Sequence, residues 1–355
     1  MKQRKNPITM KRLLSFVAIM LFTFGSVAPQ VFAQDEGRAE AVTEYNAGLS
    51  LSEEKKYMEA ADKFRDAIAI ASEYDLQDIV DLATNQIPKL YLRQASDSYA
   101  TYQTEKSLPS LETAISHFEE LETIAGEFGN DDAAKQARNA IPQLYYVKSV
   151  LEFRAANYDA AMVSLGVAIE RNPNYATAYY QQAIVQKAMD RENIEAALAY
   201  YDKAIEVAAT VGDTRTLNNA TNAAAEELVF RAVTVAEAGN LSRSNELLGM
   251  VVNYDGQNAD ANYRLAENHN KLGRWNDAIV YAERALEYES GGVVAEAKIY
   301  FELGTALKAL YDANKTDAGK LRACDAFENA NYGDFSAPAT HIMTFELKCD
   351  GYTPN

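Results

Sequence analysis

A chain of 355 residues with 51 acidic and 34 basic side chains carries a formal charge of −17, a balance that excludes nucleic acid as a partner, because holding a polyanion requires a basic stripe that releases counterions. Two cysteines, three histidines and no glycine-rich phosphate loop leave the usual nucleophile, base and metal-ligand sets nearly empty, so no catalytic residue, cofactor or metal centre is expected. With 48% apolar residues there is ample material for a continuous core.

The N-terminus reads as an export signal. Lys2, Arg4, Lys5, Lys11 and Arg12 precede an apolar run from Leu13 to Val27, and Val31-Phe32-Ala33 offers small residues to a signal peptidase. Cleavage after Ala33 is the expectation, with a periplasmic or secreted product; a retained anchor is the alternative, but the run is shorter than the roughly 20 residues needed to span a bilayer. Loss of residues 1–33 removes five basic and no acidic residues, leaving 322 residues with a net charge of −22 and no membrane span. Residues 34–40 form a short leader.

From residue 41 onward a pair of small residues recurs seven times. The first members are Gly48, Ala95, Ser149, Ala183, Ala232, Ala266 and Gly304; the second are Ala60, Ala114, Ala161, Ala197, Ser244, Ala278 and Ala323. Four residues beyond each second member stand Phe64, Phe118, Leu165, Tyr201, Leu248, Ala282 and Phe327, and seven beyond stand Ala67, Leu121, Ala168, Ala204, Val251, Ala285 and Ala330. That is one face of a helix. Small residues are required where two antiparallel helices cross closely, and the large neighbour fills the space beside the crossing.

The pattern resembles the tetratricopeptide repeat family, which has a period of about 34 residues. The clearest copy runs from Ala259 to Ser290, with Leu265, Ala266, Gly273, Trp275, Ala278 and Ala285 at the signature places; Pro142 to Pro173 follows closely, with Tyr145, Ser149, Tyr158, Ala161 and Ala168. The aromatic that opens the second helix is Tyr57, Tyr158 and Trp275, replaced by Leu111, Ile194 and Leu241 and lost at Lys320. The resemblance covers roughly 41–335 and is degenerate in the second, fifth and seventh copies. It implies an all-α fold, a right-handed α-solenoid of about seven tetratricopeptide-like antiparallel helix pairs, with repeats near 41–72, 88–126, 142–173, 176–208, 225–256, 259–290 and 297–335.

Three related inserts precede repeats: Asn85-Gln-Ile-Pro88, Asn139-Ala-Ile-Pro142 and, more faintly, Asn222-Ala-Ala-Ala225. In each, ten residues separate the asparagine from the next small residue. The helical rhythm of Ile79, Ala83, Ile87 and Leu90, and of Ala133, Ala137, Ile141 and Leu144, runs through the proline, which predicts long helices kinked at Pro88 and Pro142; a break before each proline is the competing reading. Turn signals fall at Gly129-Asn130-Asp131, Asn172-Pro173-Asn174, Asp190-Arg191, Gly239-Asn240, Asp255-Gly-Gln-Asn258 and Leu272-Gly273.

At the C-terminus, Ser336-Ala337-Pro338 has the form of a helix start, with Ser336 as cap, and Ile342, Phe345 and Cys349 then share one helical face. Residues 336–355 are expected to form a capping helix and tail over the open end of the array. The even cysteine count in an exported chain reads first as a Cys324–Cys349 disulfide.

The resemblance also implies a concave groove lined by the first helices. Three residues before each first small residue stand Tyr45, Leu92, Tyr146, Tyr180, Val229, Tyr263 and Phe301, five aromatics in seven. Four or five residues after it stand Arg154, Lys187, Lys271 and Lys308, a cationic line suited to a carboxylate or an acidic peptide. The reading is a non-enzymatic protein–protein interaction scaffold of the bacterial cell envelope, holding a peptide or partner protein in an aromatic-lined groove. An accessory or regulatory subunit of an envelope enzyme or uptake system, docked by the convex face, is the alternative; a glycan hydrolase using two of the many carboxylates is a third reading.

Overall fold

The computed structural model describes residues 35–191 and 193–349; the expected signal segment, residues 1–33, and the final residues 350–355 lie outside the described part. Every element among the described residues is helical. The described residues divide into two compact units, one up to Pro173 and one from Asn174 onward.

The first unit holds six helices: α1 (35–53), α2 (Tyr57–Glu73), α3 (Gln77–Glu105), α4 (Leu108–Glu127), α5 (Asp131–Arg154) and α6 (Tyr158–Arg171). The second holds α7 (Ala176–Met189), α8 (Ile194–Val211), α9 (Thr214–Glu237), α10 (Leu241–Tyr254), α11 (Ala259–Lys271), α12 (Trp275–Tyr288), α13 (Val293–Asn314) and α14 (Asp317–Asn329), followed by a 3₁₀ turn (Gly333–Phe335), the short α15 (Ser336–His341) and a π-helical turn (Ile342–Leu347). Within each unit every helix packs chiefly on its neighbours in sequence, so each is a short α-solenoid of antiparallel hairpins stacked in chain order.

The small residues sit where the sequence requires them. All seven first members, all seven second members, and the residues four and seven beyond are buried. In the first unit Ala60, Phe64, Ala67, Ala95 and Phe118 join one core with Ile87, Leu90, Leu111, Leu121, Ile141 and Leu144. In the second, one core runs from Ala183 to Leu265 and another from Ala266 to Leu347. A hairpin whose crossing is alanine-sized brings its backbones close, and the large residue one turn on, Phe64 or Phe327, closes the gap.

Both proline-bearing helices are continuous. Helix α3 runs for 29 residues through Pro88 and α5 for 24 residues through Pro142, with both prolines buried. A proline has no N–H to donate to the carbonyl four residues back, and burial of Ile87 and Ile141 beside it holds the helix together.

Side chains set the turns. Ser107, Asn130, Asn193, Asp213, Asn240, Asn258 and Thr316 each accept a hydrogen bond from a backbone N–H in the first turn of the following helix. The turn passes through one left-handed residue at Gly239 and Gly273 in the fifth and sixth pairs and at Lys55 and Ala156 in the first and third.

The C-terminal element differs from the expected helix in two respects. Ser336 does not cap; it lies within the helical backbone and donates to Asn331 Oδ1 at 2.5 Å. The turn that follows is π-helical, and its wider winding turns Met343 and Leu347 into the core instead of Phe345, which is 67% exposed. Cys324 and Cys349 are joined by a disulfide that ties this element to α14.

Candidate functional site

Each expected groove residue is placed by the first helix of its pair. In the first unit, Tyr45 is half-buried against Phe64, with ring centroids 5.2 Å apart, and its hydroxyl accepts from Gln86 Nε2 at 3.4 Å. Tyr146 is half-buried on α5, and Arg154 is exposed in that helix's last turn, where its charge acts on the Tyr102 hydroxyl.

In the second unit, Tyr180 lies 5.9 Å from Tyr201, and Phe301 lies between Phe327 at 5.6 Å and Phe335 at 5.3 Å. Tyr45, Tyr180 and Phe301 thus each rest on the large residue that fills their own hairpin, so this part of the stripe holds the pairs together as well as lining them. Tyr263 carries the Lys298 ammonium 4.8 Å from its ring centroid, and burial, with Glu267 and Glu302 nearby, pushes its hydroxyl up to about 12.

The cationic line does not stand free. Lys187 pairs with Glu227 at 3.1 Å, Lys271 with Glu267 at 2.6 Å, and Lys308 with Asp312 at 2.8 Å and Glu346 at 3.0 Å. In so acidic a chain each of these lysines stands beside a carboxylate, one turn away or on a neighbouring helix.

What opens instead is a trough between α9 and α11. These two helices stand apart, whereas α11 and α13 pack together. The trough has a wider part of about 530 Å³, lined by Glu226, Val229, Phe230, Val233, Asp260 and Arg264, and a narrower part of about 150 Å³, lined by Val233, Glu237, Ser244, Arg264, Glu267, Asn268 and Lys271. Phe230 is 64% exposed there. The trough floor is polar and ordered: Asn268 is buried, and its Nδ2 donates to Ser244 Oγ at 2.8 Å and to Asn245 Oδ1 at 2.9 Å.

Beside it, across α11 and α13, Asn270 Nδ2 donates to the Glu302 carboxylate at 2.7 Å. Burial, reinforced by the Glu267 charge, raises the Glu302 carboxyl above the ordinary carboxylate range against the pull of Asn270 and Lys271. His269 is buried and stacked on Tyr281 at 5.3 Å, and burial lowers its basicity. Among the described residues no group of three or more His, Cys, Asp or Glu is placed to hold a metal ion, and no helix is long and apolar enough to cross a membrane.

Of the aromatic stripe, the trough includes only Val229, one of its two aliphatic positions. Phe230 escaped the sequence reading because one apolar residue next to another on a long helix carries no mark of being exposed. Its signal was phase: Glu226, Phe230, Val233 and Glu237 recur at four, three and four residues, a helical face bounded by carboxylates.

Comparison with known proteins gives likeness at the level of helical repeats. No family model matches the chain, and no curated protein matches it. Among solved structures, the C-terminal part of a TPR repeat-containing protein from Cytophaga hutchinsonii is 13% identical, with 83% of this chain and 98% of that one covered and a TM-score of 0.34. YrrB, described as a TPR protein with an unusual peptide-binding site, is 14% identical, covering 57% and 91% at a TM-score of 0.30. Yeast Tom70 is 13% identical, covering 86% and 88% at 0.29. Superpositions this loose say nothing of partners. The order of the helices and the burial of every crossing residue make this chain an all-α array of tetratricopeptide-like antiparallel pairs.

Proposed function

We propose that the protein is a non-enzymatic interaction scaffold of the bacterial cell envelope that holds a segment of a partner protein in the α9–α11 trough. The observation that carries this reading is Phe230: a large aromatic side chain, 64% exposed on a first helix, at the mouth of an open trough with Val229 and Val233 beside it. Aromatic and aliphatic side chains left in contact with water in a concave site gain most when a ligand covers them. The envelope assignment rests on the basic and apolar character of residues 2–33.

The test is affinity capture from envelope extract with the wild-type chain, with Phe230→Ala, and with Val280→Ala, which alters an exposed apolar residue on α12. The reading expects a partner retained by wild type and Val280→Ala and lost with Phe230→Ala. A partner lost only with Val280→Ala would move binding to the outer helices.

A further inference from the structure

Resting on that reading, we infer that the trough selects an extended segment in which an apolar centre is flanked by basic residues four or six positions apart. The charge inventory of the walls is one-sided. Glu226, Glu237, Asp260 and Glu267 face the trough against Arg264 and Lys271, a net of −2. Both cations are already engaged, Arg264 Nε with Asp260 at 2.8 Å and Lys271 Nζ with Glu267 at 2.6 Å. Glu226 and Glu237 have no cation within ion-pair distance among the described residues, and both are exposed. The surplus negative charge of the site therefore resides on these two.

Their placement fixes a spacing. Residues 226, 230, 233 and 237 share one face of α9, because steps of four, three and four return to nearly the same angle on a helix of 3.6 residues per turn. The eleven steps from Glu226 to Glu237 span about 16 Å at ~1.5 Å per residue. Phe230 and Val233 lie between the two carboxylates, giving the order acid, apolar, apolar, acid along the trough wall. An extended chain advances ~3.3 Å per residue, so about five residues cover that distance, and because only alternate side chains share a side, the two basic residues fall four or six positions apart. A lysine or arginine at each end meets a carboxylate while the intervening apolar side chains cover Phe230 and Val233.

The neighbouring groove surface has the same polarity. Glu302 feels the Glu267 charge and is held by Asn270, and Lys271, the cation that acts on it, is shared with Glu267. An acidic segment would be repelled by these carboxylates; a basic one would be attracted.

The experiment is selection of a random decapeptide library, displayed on phage, against the immobilised full chain, with Glu226→Gln/Glu237→Gln and Phe230→Ala run in parallel. The expected outcome is enrichment of Lys or Arg on both sides of an apolar centre, four or six positions apart. A synthetic peptide of the enriched sequence should bind the double Gln variant roughly three- to tenfold more weakly, as expected for losing two exposed ion pairs, and should bind wild type more weakly as salt is raised. Enrichment of acidic flanks, or of apolar centres with no charge bias, overturns the inference and leaves the trough as a binding site. Enriched peptides that bind Phe230→Ala as well as wild type, or no enrichment at all, overturn the trough reading itself.

Discussion

Gly304 lies so close to Phe327 that a Cβ built on the glycine would stand 3.0 Å from three atoms of the ring, and Gly48 meets Phe64 in the same way. The first and last pairs thus set glycine against phenylalanine, where the middle pairs use alanine or serine at the crossing.

A side chain forced into that contact has to displace the ring. Gly304→Val is expected to lower stability by about 1–3 kcal/mol, the usual range for overpacking a filled core. Combining it with Phe327→Leu should recover part of the loss, because the shorter side chain makes room. Urea unfolding of the single and double variants measures the coupling.

The left-handed turn residue offers a change in the opposite direction. Ala156 adopts φ of 61° between α5 and α6, a conformation that is unfavourable for a residue with a Cβ. Ala156→Gly should raise stability by about 1 kcal/mol, the relief at the turn exceeding the added freedom of the unfolded chain. A thermal midpoint unchanged or lowered would show that the turn is not strained.

Cys324 and Cys349 close a loop with a sequence separation of 25. In the loop-entropy description such a cross-link contributes about 3 kcal/mol. Reduction, or Cys324→Ser with Cys349→Ser, is expected to leave α1–α12 protected from hydrogen exchange and to expose the amides of Ser336–Leu347. Uniform loss of protection along the second unit would mean that the element is needed for the whole unit.

Glu302 sets a pH dependence whose sign can be worked out. Its folded carboxyl is held above the ordinary 4.5 by burial, so the folded state takes up the proton at higher pH than the unfolded chain does. Its contribution to stability therefore rises as pH falls through the raised value and is complete below 4.5, and it is unfavourable at neutral pH. Glu302→Gln should be more stable than wild type at pH 7, and the difference should vanish near pH 4. The two chains unfolded side by side across that range give the comparison, and a constant difference would contradict the assignment.

The fold was legible in the sequence because its signal is steric. A crossing of two helices tolerates little beyond glycine, alanine or serine, and every such position chosen from the spacing is buried in the structure. The helical rhythm likewise carried through Pro88 and Pro142. The site was less legible. Lys187, Lys271 and Lys308 looked like a cationic line, but the carboxylates that stand beside them come from a neighbouring turn or the adjacent helix, and which acid meets which lysine depends on rotamer and packing. Tyr45, Tyr180 and Phe301 also rest on their own hairpins, a packing role that the residue type alone does not reveal. The π-helical turn changed which face of 342–347 is buried, and no residue spacing announced it.

The central claim is that the α9–α11 trough, and not the outer surface of the second unit, receives the partner. A photo-cross-linking amino acid placed at 230 and, separately, at 280 in the full chain, with irradiation in living cells, tests it most directly. The account predicts a discrete adduct from position 230 that Glu226→Gln/Glu237→Gln weakens, and none from position 280. An adduct from 280 with none from 230 would contradict it.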